Sequence, residues 1–81
     1  MEYDYDKIDN IVLALMCLTL HDEASGTART WKGFDWDTLD RLYEKGWILD
    51  PKTKAKSVVL TEAGLALAKQ LFDQYFGKTT P

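Results

Sequence analysis

One cysteine, Cys17, and one histidine, His21, are all that the 81-residue chain offers of the two residue types most used to hold metals. A lone cysteine forms no intrachain disulfide and supplies no cysteine pair for zinc, so a reducing compartment fits best. No uninterrupted apolar run exceeds Ile11 to Leu18, far short of the roughly 20 residues that cross a bilayer. The first six residues are acidic where a secretory leader is basic, so the reading expects a cytoplasmic protein without membrane contact. None of the five glycines belongs to a phosphate-cradling loop. Ser25, His21 and Asp22 crowd one loop with no base held by a rigid element, so neither enzyme activity nor a cofactor is expected. Cys17 and His21 are four apart beside Asp22 and Glu23, but two ligands and a loose carboxylate make a poor metal site, and none is expected.

What the chain has is apolar and aromatic bulk: 46% hydrophobic residues, with three Trp, four Tyr and three Phe. That composition excludes disorder, and the length suits one domain spanning residues 1–81, with 78–81 as a frayed tail. Domains this small bury only roughly 60% of their unfolded surface and often borrow stability from a partner. The net charge of −3 argues against a protein that works mainly by neutralising phosphates. The charge is unevenly spread. Residues 1–28 carry six acids against Lys7, whereas residues 29–60 carry seven bases against five acids.

Asp4 and Asp6 are placed to cap a first helix from about Lys7 to Leu20. Ile8, Ile11, Val12, Leu15 and Leu18 form one apolar stripe on it, and Leu13, Met16 and Leu20 form a second. A helix greasy on two sides needs two covers. Leu13, Met16 and Leu20 are therefore the candidate self-association surface of a homodimer. Periodicity then stops from His21 to Gly33, apart from a short extended piece over Ala28 to Lys32.

Asp35 as N-cap and Gly46 as the left-handed C′ residue bracket a second helix over Trp36 to Lys45, with Trp36, Leu39, Leu42 and Tyr43 inward. Trp47 to Leu49 and Ser57 to Leu60 read as the strands of a hairpin whose tip, Asp50 to Lys56, is basic. Thr61 caps a third helix that runs to about Phe76, with Leu65, Ala68, Leu71, Phe72, Tyr75 and Phe76 inward. Gly64 in its first turn points to tolerance near a helix start or to close approach of another backbone. The order is α-(β)-α-β-β-α, an α+β fold.

The stretch Leu39 to Leu71, LDRLYEKGWI, a basic turn, then KSVVLTEAGLALAKQL, resembles the second half of bacterial winged-helix domains. The matching residues are Leu39, Leu42, Gly46, Ile48, Leu60, Thr61, Glu62 and Gly64. The resemblance implies three helices with a small β-hairpin wing. The whole chain is also similar to a small bacterial family of uncharacterised winged-helix-like proteins, through WKGFDWD at Trp31 to Asp37 and KSVVLTE at Lys56 to Glu62. That likeness implies a shared fold and brings no activity with it.

If the second helix read DNA, its outer face would need bases, yet it carries Asp37, Asp40 and Glu44 against Arg41 and Lys45. Duplex DNA is therefore disfavoured as a partner. The candidate phosphate contacts are Lys52, Lys54 and Lys56 on the wing with Arg41 and Lys45. Trp31 and Trp47 lie outside the helical stripes and are the candidate exposed aromatic surface. The function expected is a non-enzymatic, self-associating interaction or regulatory domain with room for a protein partner. The alternative is a transcriptional regulator holding DNA through its wing.

Overall fold

Asp4 opens the first helix as its position demands, its carboxylate accepting the Lys7 N–H at 3.0 Å. The computed structural model describes residues 2–78, so residues 79–81 of the expected tail lie outside it. Helix α1 spans Tyr5–Leu15 and tightens into a 3₁₀ turn over Met16–Thr19, ending its regular pitch sooner than the apolar pattern suggests. Strands β1 (His21–Ala24) and β2 (Thr27–Trp31) follow, then α2 (Trp36–Glu44), β3 (Ser57–Leu60) and α3 (Glu62–Phe76). The fold is α+β: three helices on a three-stranded antiparallel sheet of order β1-β2-β3.

Two strand expectations need correcting. Residues 21–31 form a hairpin, not a loop with a lone strand, because Ser25 (φ 53°) and Gly26 (φ 80°) give the paired positive φ values of a type I′ turn. The Trp47–Leu49 strand shrinks to one bridge between Ile48 and Leu60. Beyond it the chain leaves the sheet at Pro51, which has no N–H for a ladder and is fully buried. The Lys32 ammonium gathers the departing loop, donating to the carbonyls of Pro51 at 2.7 Å and Thr53 at 2.9 Å.

The inner face of the sheet presents Ala28, Thr30, Val58 and Leu60 to the core, alternating with half-buried neighbours and the exposed Trp31. Against them pack Leu13, Met16, Leu39, Leu42 and Ile48, all buried. This corrects the self-association surface. Leu13 and Met16 are fully sheltered by their own chain, and Leu20 packs partly buried against the core. Helix α1 touches α2 and α3, and its 3₁₀ extension touches β2, so three elements supply the cover that a second copy was expected to give. Leu39 and Leu42 of α2 turn inward as read, but Trp36 and Tyr43 stay about half exposed, and Tyr75 and Phe76 of α3 also remain outside.

The L-T-x-x-G start of α3 has a physical explanation. Helix α2 ends in a Schellman motif, with Gly46 at φ 78° and the Gly46 and Trp47 N–H groups bonded to the Tyr43 and Leu42 carbonyls, each at 3.0 Å. The Thr61 hydroxyl donates to the Gly46 carbonyl at 2.7 Å and accepts the Gly64 N–H at 3.0 Å, joining the end of one helix to the start of the next. Gly64 is needed for close approach: a Cβ there would collide with the Trp47 carbonyl oxygen and lie 2.6 Å from its carbon.

Asp9 faces α2 from the middle of α1 and has no exposed surface. Its carboxylate takes Arg41 Nε at 2.9 Å on one oxygen and Lys45 Nζ at 2.9 Å on the other. Arg41 also donates to Thr38 Oγ1 at 3.1 Å, and that hydroxyl donates to the N-cap carboxylate of Asp35 at 3.1 Å. A buried charge is tolerated only when so satisfied. Outside, Lys45 reaches Asp6 at 2.9 Å. The hydrogen bond and charge of Lys45 hold the Asp6 carboxyl below its ordinary 3.8. Burial pulls the Lys45 ammonium down, but its bonds to Asp6 and Asp9 outweigh this and raise it above 10.5.

Gly64→Ala should lower the urea midpoint, because overpacking costs about 1–3 kcal/mol and outweighs the ~1 kcal/mol that alanine contributes as a helix former. An unchanged midpoint would show that the Trp47 carbonyl does not confine the site. Asp9→Asn leaves two cations short of a counter-charge. Its cost lies toward the lower end of ~3–5 kcal/mol, since Arg41 and Lys45 keep 27% and 28% of their side chains in solvent. The Asp6 contribution is complete above about pH 4 and fades as pH falls through its lowered folded pKa, while that of Lys45 is complete below 10.5 and fades above. Thermal scans should therefore show stability falling below about pH 4, with a shallower acid limb in Asp6→Asn.

Candidate functional site

Thr30 is a hydroxyl in the core, and its bonds place the surface above it. It donates to the Met16 carbonyl at 2.9 Å, which leaves Thr19 to donate into Thr30 Oγ1 at 2.7 Å. This pair fastens the 3₁₀ turn to the end of β2. Three residues per turn then stack Leu18 beyond Leu15 on one line. With Thr19, Trp31, Gly33 and Phe34 they line an open apolar hollow of about 320 Å³. Leu18 is 67% exposed and Trp31 52% exposed, so both stand at its rim.

His21 holds Trp31 in place. Its Nδ1 lies 2.8 Å from the Thr19 carbonyl, which only accepts, so Nδ1 carries the proton, and the ring lies against the indole with centroids 4.5 Å apart. His21 is thus in β1, on a different element from Cys17. Cys17 borders a separate hollow with Leu20, Lys69, Phe72 and Asp73, where burial pushes its thiol up. A raised thiol is a poor nucleophile and a poor metal ligand. Among the described residues no three His, Cys, Asp or Glu side chains converge, and no helix is long and apolar enough to cross a membrane.

The basic residues read as one phosphate-contacting group do not assemble. Arg41 and Lys45 are bound to Asp9 between the helices, a correction forced by the burial of that carboxylate. Lys52 lies 3.8 Å from Asp40. Lys54 and Lys56 are exposed and make no ion pair among the described residues. The two tryptophans also part: Trp31 is exposed as expected, whereas Trp47 packs partly buried against the core beneath the Lys45 ammonium, 5.1 Å from its ring centre.

Leu18 was read only as part of an apolar stripe on the first helix, and its place with Phe34 at the hollow was not foreseen. The signal would have been the change from α to 3₁₀ pitch at Met16, which no residue in that run announces.

Residues 4–78 match the domain of unknown function DUF6429. The uncharacterized protein y4hR of Sinorhizobium fredii (strain NBRC 101917 / NGR234) is 55% identical over 76 residues, covering 94% of this chain and 97% of that protein. No solved structure matches the chain. The family match begins at the residue that caps α1 and ends two residues after α3, taking in every element of the fold: the chain belongs to the DUF6429 family.

Proposed function

We propose that this chain is a non-enzymatic interaction domain of winged-helix-like build that associates with a second copy of itself through the hollow beside Trp31. The observation that carries the reading is the contiguity of Leu18, Trp31 and Phe34 around one apolar hollow. Single exposed apolar side chains are ordinary on a protein surface, but a continuous patch with its own concavity marks a contact site. A two-fold interface needs a patch that is both knob and hole. Leu18 protrudes beside the hollow it helps to line, so the same face offers both.

The non-enzymatic part is supported by the use made of the main ionisable cluster, Asp9 with Arg41 and Lys45, which is committed to helix packing. The winged-helix-like part is supported by the order β2, β3, Ile48 across the sheet and by the basic loop between Ile48 and β3. Contact with duplex DNA through that loop is the second reading. It keeps Lys54 and Lys56 but loses Arg41 and Lys45, and it requires binding that weakens as salt rises.

Sedimentation velocity across the micromolar range tests the proposal. The expected result is a dimer that Leu18→Asp converts to a monomer whose thermal midpoint matches that of the wild type diluted to monomer, since Leu18 supports little of the core. A wild-type chain that stays monomeric throughout, or a dimer indifferent to Leu18→Asp, would refute it.

A further inference from the structure

The outer face of the sheet carries a second hollow built from other residues. Alternation along β2 turns Ala28 and Thr30 to the core and Arg29 outward, where its Nη1 donates to Ser57 Oγ at 2.9 Å. Beside it opens a space of about 280 Å³ bordered by Leu49, Asp50, Thr53, Ser57 and Val59. A guanidinium has five N–H donors. Arg41 spends its own on Asp9 and Thr38, whereas Arg29 is half-buried and has no carboxylate within ion-pairing distance among the described residues.

Backbone donors point the same way. Leu49 N–H meets the Val59 carbonyl at 2.9 Å, so the odd-numbered residues of β3 turn their N–H and C=O groups away from β2. The chain leaves the sheet just after Leu49, so the N–H groups of Val59 and Ser57, two residues that border the hollow, have no backbone acceptor across that edge among the described residues. The hydroxyls of Thr53 and Ser57 add two more donors at its edge. Ala55 also lines it, and its chain neighbours Lys54 and Lys56 are exposed. The one acid on the rim is Asp50, whose Oδ1 accepts the Lys52 N–H at 2.9 Å.

We infer that this hollow binds a phosphate group, with Arg29 as its main charge partner. A guanidinium beside backbone N–H groups and hydroxyls suits a tetrahedral oxyanion. Leu49 and Val59 give the space an apolar wall, so the phosphate is an ester carrying an organic body. A small phosphorylated molecule and the phosphodiester of a nucleic acid share this chemistry. The site uses neither Leu18 nor Trp31, and it stands or falls independently of self-association.

The test is amide and guanidinium NMR of the full chain titrated separately with inorganic phosphate, ribose 5-phosphate and a short single-stranded oligonucleotide. The expected result is movement of the Arg29 Nε, Ser57 and Val59 resonances. Arg29→Gln should weaken binding at least tenfold, about 1.4 kcal/mol, with the thermal midpoint and oligomeric state unchanged, and Asp50→Asn should tighten it. Tightest binding of ribose 5-phosphate assigns the site to a small phosphoester, and tightest binding of the oligonucleotide assigns it to a nucleic-acid backbone. Absence of movement at Ser57 and Val59 with every probe overturns the inference. So does binding confined to Lys54 and Lys56 that survives Arg29→Gln.

Discussion

The carboxylate of Asp9, sealed between α1 and α2, is the constraint around which the rest of the molecule is arranged. A charge without solvent has to be met by cations of fixed position, and Arg41 of α2 and Lys45 at its C-cap, one helical turn apart, meet it from the facing side. This sets which way α2 turns, and the consequences run on through the chain. The turn after α2 brings the Trp47 carbonyl over Gly64, and Thr61 bonds back to Gly46, so α3 starts where α2 ends.

The same cluster bears on function by using up charge. A helix in the position of α2 reads DNA only with free cations on its outer face, and the two it has are turned inward. The inward residues of α1 are likewise covered at home by α2 and α3, and those of its 3₁₀ extension by β2. What remains unspent lies at the two sides of β2: the rim formed by Leu18 and Trp31, and the guanidinium of Arg29. Strand β2 serves both because its alternation sends Thr30 inward to fasten the 3₁₀ turn and its neighbours outward.

The legible features were those that a few adjacent residues decide. Asp4, Asp35 and Thr61 cap the helices they were read to cap, and Gly46 ends α2 in the left-handed conformation. Such signals are local hydrogen-bond chemistry and survive any tertiary context. The β1–β2 hairpin was missed because His21–Ala24 has no apolar alternation, and only the Ser25-Gly26 pair hints at its turn. The cluster at Asp9 was hidden for a different reason. Asp9, Leu13 and Met16 fall on one helical line, but a carboxylate on that line reads as solvent-facing until two cations more than thirty residues away are known to reach it. Arg41 and Lys45 were read as outward for the same reason, and Trp47 as exposed because its cover comes from elsewhere in the chain.

Asp9 and Arg41 act as one unit in holding α1 against α2. A double-mutant cycle of Asp9→Asn and Arg41→Gln, measured by chemical unfolding, addresses this most directly. A coupling free energy of about 1–3 kcal/mol is the result that this packing requires, while losses that simply add would show the two side chains to be independent and α2 to be placed by its apolar contacts alone.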